Sequence, residues 1–224
     1  MEGFVHFIQN DFGHAAPILA AGGIAIAIIL ERVRALVFAY PIRNTPQFVE
    51  KIRDLVMADR LAEALTYTEQ MGAKPAATVV REALLRAHQP EDLIHDGLEL
   101  AVSEATQKVS ARTAFLATIA NVATLLGLFG TILGLIQSFQ AVGSASAQQR
   151  SALLAQGIST AMNATMLGLA VAIPCMVAFS YLMNRSNRLN AEVEQMAMRM
   201  MDIIKQRFYD ADSAPSRKAQ KRSA

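Results

Sequence analysis

The chain alternates between long stretches without charge and segments where charge and apolar residues interleave. No side chain from Thr113 to Gln149 is charged, and after Arg150 the same holds from Ser151 to Asn184. Each stretch exceeds the roughly 20 residues with which a helix crosses the hydrocarbon core of a bilayer. A third apolar run covers Ala15–Leu30 and resumes at Ala35–Tyr40 after Glu31-Arg32-Val33-Arg34. Soluble helices of this length carry a polar face. Helices without one predict three membrane spans.

Elsewhere the pattern is that of helices with one apolar side. Pro46 stands as a first-turn residue after Asn44-Thr45, and Phe48, Ile52, Leu55 and Val56 follow at helical spacing. A second helix is predicted over Leu61–Gln70, ending near Gly72. A third begins after Pro75, with Val79, Val80, Ala83 and Leu84 on one side. A fourth opens at Pro90-Glu91-Asp92, whose acids suit a helix N-terminus. It continues through Leu98, Val102, Ala105 and Val109, and is expected to run unbroken into the second span. After the third span, Leu189, Val193, Met196, Met200 and Ile203 recur at spacings of three and four, with Arg188, Glu192, Glu194, Arg199 and Lys205 off that stripe. This predicts an amphipathic helix continuing out of the membrane.

Charge sets the orientation. The segment before the first span holds no Lys or Arg, and the short connection between spans two and three holds only Arg150. The long connection and the C-terminal region each carry nine or more basic residues, Arg43 to Arg112 and Arg185 to Arg222. By the positive-inside rule the N-terminus is then periplasmic, and the long connection and the C-terminus are cytoplasmic. The missing positive n-region also distinguishes the first span from a signal peptide. The expected division is a periplasmic segment (1–14), transmembrane helix 1 (15–40), a cytoplasmic helical region (41–112), transmembrane helix 2 (113–141) and a periplasmic loop (142–151). Transmembrane helix 3 (152–183), a cytoplasmic helix (184–210) and a disordered basic tail (211–224) complete it. The fold class is all-α integral membrane protein, with helices 2 and 3 extending into a cytoplasmic helical domain.

A net charge of +2 over 224 residues gives no reason to expect nucleic acid as a partner. The single cysteine, Cys175, lies in an apolar run and reads as a small core residue. His6, His14, His88 and His95 lack the Cys or acidic neighbours of a metal site, and no Walker-type glycine loop is present. Neither a metal nor another cofactor is expected, and no catalytic residues stand out. An intramembrane protease is excluded by the lack of an Asp pair, a Ser/His pair or a zinc motif within the spans.

The spans themselves carry patterned polar and small residues. Asn121, Thr124, Thr131 and Ser138 are three, seven and seven apart, which puts them along one helical face. Gly127, Gly130 and Gly134 lie beside them, the last two as a GxxxG pair. In the third span Gln156, Thr160 and Asn163 form a polar stripe, and Thr160, Ala164, Gly168 and Ala172 a small-residue ridge. Thr165 lies deeper, and Pro174 is a potential kink. Small residues at such spacing let helices approach closely, so Gly130, Gly134, Ala164, Gly168 and Pro174 are expected to pack helices. Thr124, Thr131, Thr160, Asn163 and Thr165 are candidates for lining a hydrated ion path. The middle of spans two and three holds no Asp, Glu, His, Lys or Arg. A proton path needs one, so the titrating carboxylate is expected on another chain.

The stretch Phe115–Ile136, FLATIANVATLLGLFGTILGLI, resembles the second span of ExbB and TolQ proteins, whose pattern is LAxIA…LGLLGTVxG. The stretch Gly157–Pro174, GISTAMNATMLGLAVAIP, resembles their third span, GIxEALxATxxGLxxAIP. Glu31-Arg32 and Lys74-Pro75-Ala76 also look like that family, and the likeness covers about residues 15 to 205. The resemblance to the MotA/TolQ/ExbB proton channel family implies a pentamer of long helices. Its pore encloses the single membrane helices of a dimeric partner of the ExbD/TolR/MotB type, and a partner aspartate takes up and releases protons. Thr131 and Thr165 match the threonines of the two span motifs and are thereby expected to face that aspartate. Pro174 matches the family proline.

The family glutamate of the third span falls at Thr160 here. That departure weakens the assignment to the TonB or Tol systems and leaves room for a related motor, such as one driving gliding, so that both a TonB/Tol-like and a gliding-type motor stay open. The cytoplasmic connection is shorter than is usual in MotA, which points away from a flagellar stator. The expected function is the channel subunit of an inner-membrane, proton-driven motor acting on an envelope or motility component. The alternative is a non-conducting membrane scaffold in a transport or secretion complex.

Overall fold

The computed structural model describes the backbone of residues 12–220 and the side chains of residues 15–209. The expectations for residues 1–11 and 221–224 lie outside the described residues. Among the described residues the chain is helical apart from short connections, and no strand occurs. It comprises α1 (Phe12–Val33), α2 (Thr45–Met57), α3 (Leu61–Gln70), α4 (Pro75–Leu85), α5 (Glu91–Ser110), α6 (Phe115–Ser144) and α7 (Arg150–Gln220). Three segments, Ala15–Ala39, Glu91–Ser144 and Arg150–Tyr209, are long and apolar enough to cross a membrane. The protein is an all-α membrane protein.

Two compact units form. The membrane unit comprises Met1–Val33 and Arg112–Met183, and the second unit Arg34–Ala111 and Asn184–Ala224. The second unit gathers α2 to α5 and the C-terminal half of α7 around one core. Phe48, Ile52, Val56, Val79, Val80, Ile94, Met196, Met200 and Ile204 are almost fully removed from solvent there. Its helices start and stop where backbone chemistry demands. Pro46 and Pro75 occupy first-turn positions, where a missing N–H costs nothing. Gly72, at φ +68°, ends α3 in the left-handed region that other residues avoid. The Phe48 ring stacks on Tyr67 at 5.7 Å between centroids, and the Lys51 ammonium sits 4.3 Å over the Tyr67 ring. Arg207 donates to Asp59 at 2.6 Å, joining α7 to the turn after α2.

Three boundaries differ from the sequence expectation. The fourth amphipathic helix does not run unbroken into the second span. α5 ends at Ser110, Arg112 adopts φ +61°, and α6 begins at Phe115. The apolar period continues through this point, so periodicity alone does not reveal the break. Arg112 then donates through Nη1 to Glu31 at 2.7 Å, tying the start of α6 to the end of α1. The first span is not α-helical to residue 40. Arg34–Ala39 form a π-helical turn, with the Tyr40 N–H donating to the Ala35 carbonyl at 2.9 Å. Within that turn Leu36 is buried and its carbonyl accepts from Arg185 Nε at 3.3 Å. Finally, the α7 backbone stays helical to Gln220, where a disordered tail was expected from residue 211. The Ala, Arg, Lys and Gln residues in that segment are good helix formers even without an apolar stripe.

Candidate functional site

The membrane unit is built on a seam between α6 and α7. On α6, Leu116, Ala120, Ala123, Gly127, Gly130, Gly134 and Ser138 are buried, at spacings of three and four. On α7 the matching set is Ala161, Ala164, Gly168, Ala172 and Cys175. The two helices run antiparallel, and a Cβ added at any seam glycine meets the other helix. At Gly127 it would lie 3.2 Å from the Ala164 carbonyl oxygen, at Gly130 2.6 Å from Ala164 Cβ, and at Gly134 3.1 Å from Ala161 Cβ. At Gly168 it would lie 2.7 Å from the Ala123 carbonyl oxygen. Only backbones without side chains between them come this close.

Gly157 also belongs to the seam, since an added Cβ there would overlap the Ser138 side chain. A ridge of fours in the sequence, Thr160, Ala164, Gly168 and Ala172, bypasses it. A strict spacing of four drifts about 40° per step around the helix. The true contact line alternates four and three, through Gly157, Ala161, Ala164 and Gly168. Thr160 is off it and half-buried, and Pro174 is exposed, so neither takes part in the seam.

Helix α1 closes one side of this pair. Ala15 and Ile18 form a cluster with Ala164 and Leu167, joined by Leu126 and Val171. At 100° per residue, Leu167 and Val171 lie on one flank of the seam of α7 and Thr165 on the other. Leu126 likewise marks the α1 flank of α6, while Thr131 and Thr124 lie beyond the seam on the opposite side. Thr124, Thr131 and Thr165 therefore share the flank turned away from α1. Thr160 and Asn163, both half-buried, stand about 140° and 160° from Thr165 around α7. The five candidate path residues thus do not share one face. Ser138 also leaves the polar line of α6, since the same drift carries it into the seam, where it is buried.

Each flank hydroxyl has a hydrogen-bond acceptor. Thr131 Oγ1 donates to the Leu128 carbonyl at 2.6 Å, and Thr124 Oγ1 to the Ala120 carbonyl at 3.0 Å. Buried Ser138 donates to the Gly134 carbonyl at 2.7 Å. Thr165 differs, because its Oγ1 crosses the seam to the Gly127 carbonyl at 3.3 Å. Around the seam lies a broad apolar exterior, including Leu125, Phe129, Ile132 and Phe139 on α6 and Met162, Ile173 and Val177 on α7, all at least half exposed. Among the described residues, no cluster of three metal-ligating side chains occurs.

The MotA/TolQ/ExbB proton channel family profile matches residues 68–195, more than half of the chain. The Tol-Pal system protein TolQ of Haemophilus influenzae is 30% identical over 179 residues, covering 75% of this chain and 77% of that one. An ExbB homolog of Methanothermobacter thermautotrophicus is 27% identical over 206 residues, covering 87% of this chain and 71% of that one. Among solved structures, Campylobacter jejuni MotAB shares the fold, with a TM-score of 0.54 at 15% identity over 92% of this chain and 85% of that one. On the profile match and the TolQ identity together, the chain belongs to the MotA/TolQ/ExbB proton channel family.

Proposed function

We propose that this chain is the channel subunit of a motor in the bacterial inner membrane that couples proton flow to mechanical work on an envelope or motility component. Its N-terminus lies in the periplasm and its second unit in the cytoplasm. A homopentamer places the Thr131 and Thr165 flank toward a central path, and a single-span partner of the ExbD/TolR/MotB type supplies the carboxylate that carries the proton. The observation that carries this reading is the placement of Thr124, Thr131 and Thr165 on the one flank of the α6–α7 seam that α1 leaves open. The absence of any Asp, Glu, His, Lys or Arg from Thr113 to Gln149 and from Ser151 to Asn184 supports the division of labour with a partner. The exposed apolar exterior fits lipid on one side and neighbouring copies on another.

The test is reconstitution. Proteoliposomes holding this chain alone should pass protons little faster than empty ones. Co-reconstitution with its single-span partner should give flux that disappears when the partner's membrane aspartate becomes asparagine. Robust flux through this chain alone would refute the proposal.

A further inference from the structure

The second unit holds a groove of about 670 Å³ between α5 and the C-terminal half of α7. Its floor is apolar, made by Leu98, Val102, Ala197 and Met201. Met198 stands at the edge with 69% of its surface exposed. Glu99, Glu194 and Asp202 supply three carboxylates around it. The basic side chains on its lining already face carboxylates. Lys205 Nζ is 2.5 Å from Glu91 Oε1, and His95 Nδ1 is 3.7 Å from Glu99 Oε1. The groove is therefore apolar inside and negative at its rim, with a flexible thioether at its edge, a combination suited to an amphipathic basic segment.

We propose that this groove docks the basic cytoplasmic flank of the single-span partner. The inference rests on the motor reading and on the orientation given above. The positive-inside rule places Lys and Arg beside the cytoplasmic end of a single membrane helix, so the partner's segment on this side carries the charge the groove lacks. A second copy of this chain fits the groove less well. The apolar side chains α5 turns outward, Leu93 and Leu100, are flanked by Asp92, Asp96 and Glu104, and would bring carboxylates against carboxylates.

A photo-crosslinking phenylalanine derivative in place of Met198, in the intact complex in native membranes, tests this. Irradiation should give an adduct with a protein of one membrane helix, attached within the basic stretch flanking that helix. Reversing the rim with Glu99→Lys, Glu194→Lys and Asp202→Lys should lower adduct yield at least tenfold while the partner still co-purifies. The isosteric Glu99→Gln, Glu194→Gln and Asp202→Asn set should lower it less, and guards against misfolding of the reversed variant. An adduct only with a second copy, including its Arg217–Arg222 end, would overturn the proposal, as would no adduct while the partner co-purifies. Both results leave the motor reading standing. If no single-span protein co-purifies with the wild-type chain, the motor reading falls and this inference with it.

Discussion

The seam predicts a sharp asymmetry between two Gly→Ala substitutions in the membrane unit. A methyl group at Gly168 would lie 2.7 Å from the Ala123 carbonyl oxygen and 2.9 Å from Gly127 Cα. Both neighbours are backbone of α6, so neither can rotate away, and the helices must part by roughly half an ångström. Overpacking of this kind costs about 1–3 kcal/mol, which lowers the thermal midpoint of a chain this size by roughly 2–12 °C. Gly23 on α1 has nothing within 4 Å of an added Cβ, so Gly23→Ala should leave the midpoint unchanged or raise it slightly. Thermal unfolding in mild detergent measures both. Cys175 gives a second readout, since it is only 3% exposed on the α7 side of the seam. Its labelling by a thiol-reactive dye should accelerate in Gly168→Ala and not in Gly23→Ala. Equal midpoints and equal labelling rates in the two variants would refute the close-packed seam.

Three further outcomes are expected. Thr131→Val with Thr165→Val should leave insertion and complex size nearly intact while strongly reducing driven activity per assembled complex; normal activity per complex would remove both residues from the path. In a Cys175→Ser background, cysteines at Gln9 and Ala145 should react with an impermeant thiol reagent from the periplasmic side and one at Gln70 should not, and the reverse pattern would invert the topology. Gly72→Ala should destabilise the second unit by about 1 kcal/mol, because φ +68° is strained for any residue with a Cβ; a stability equal to wild type in denaturant titration would contradict that geometry.

The spans and most of the second unit were legible because their signals are local. Charge-free runs of more than 30 residues have few alternative explanations, and stripes such as Phe48-Ile52-Val56 and Val193-Met196-Met200 place their own burial. The break at Arg112 was not legible, because its cause is a single positive φ at a residue that usually continues a helix. The π-helical turn at Arg34–Ala39 escaped for a similar reason. Its composition is that of an ordinary apolar helix, and the contact accompanying it comes from Arg185, some 150 residues later. At the site, the small residues were visible but their partners were not. A fixed spacing of four favoured Thr160 and missed Gly157, whereas the helix pitch of about 3.6 residues selects the alternating line. Which of the two flanks α1 covers depends on where that helix packs, which no pattern within α6 or α7 encodes.

The hydroxyl hydrogens of Thr131, Thr124 and Thr165 are all directed at backbone carbonyls. What these side chains leave for an incoming group is oxygen lone pairs. A carboxylate arriving at this flank meets acceptors and gains little, whereas a carboxylic acid can donate to them. A surface of this kind favours the protonated form and raises the proton affinity of an acid held against it. The flank would thus take hold of its visitor when a proton is aboard and loosen when the proton leaves, with no charge of its own to neutralise.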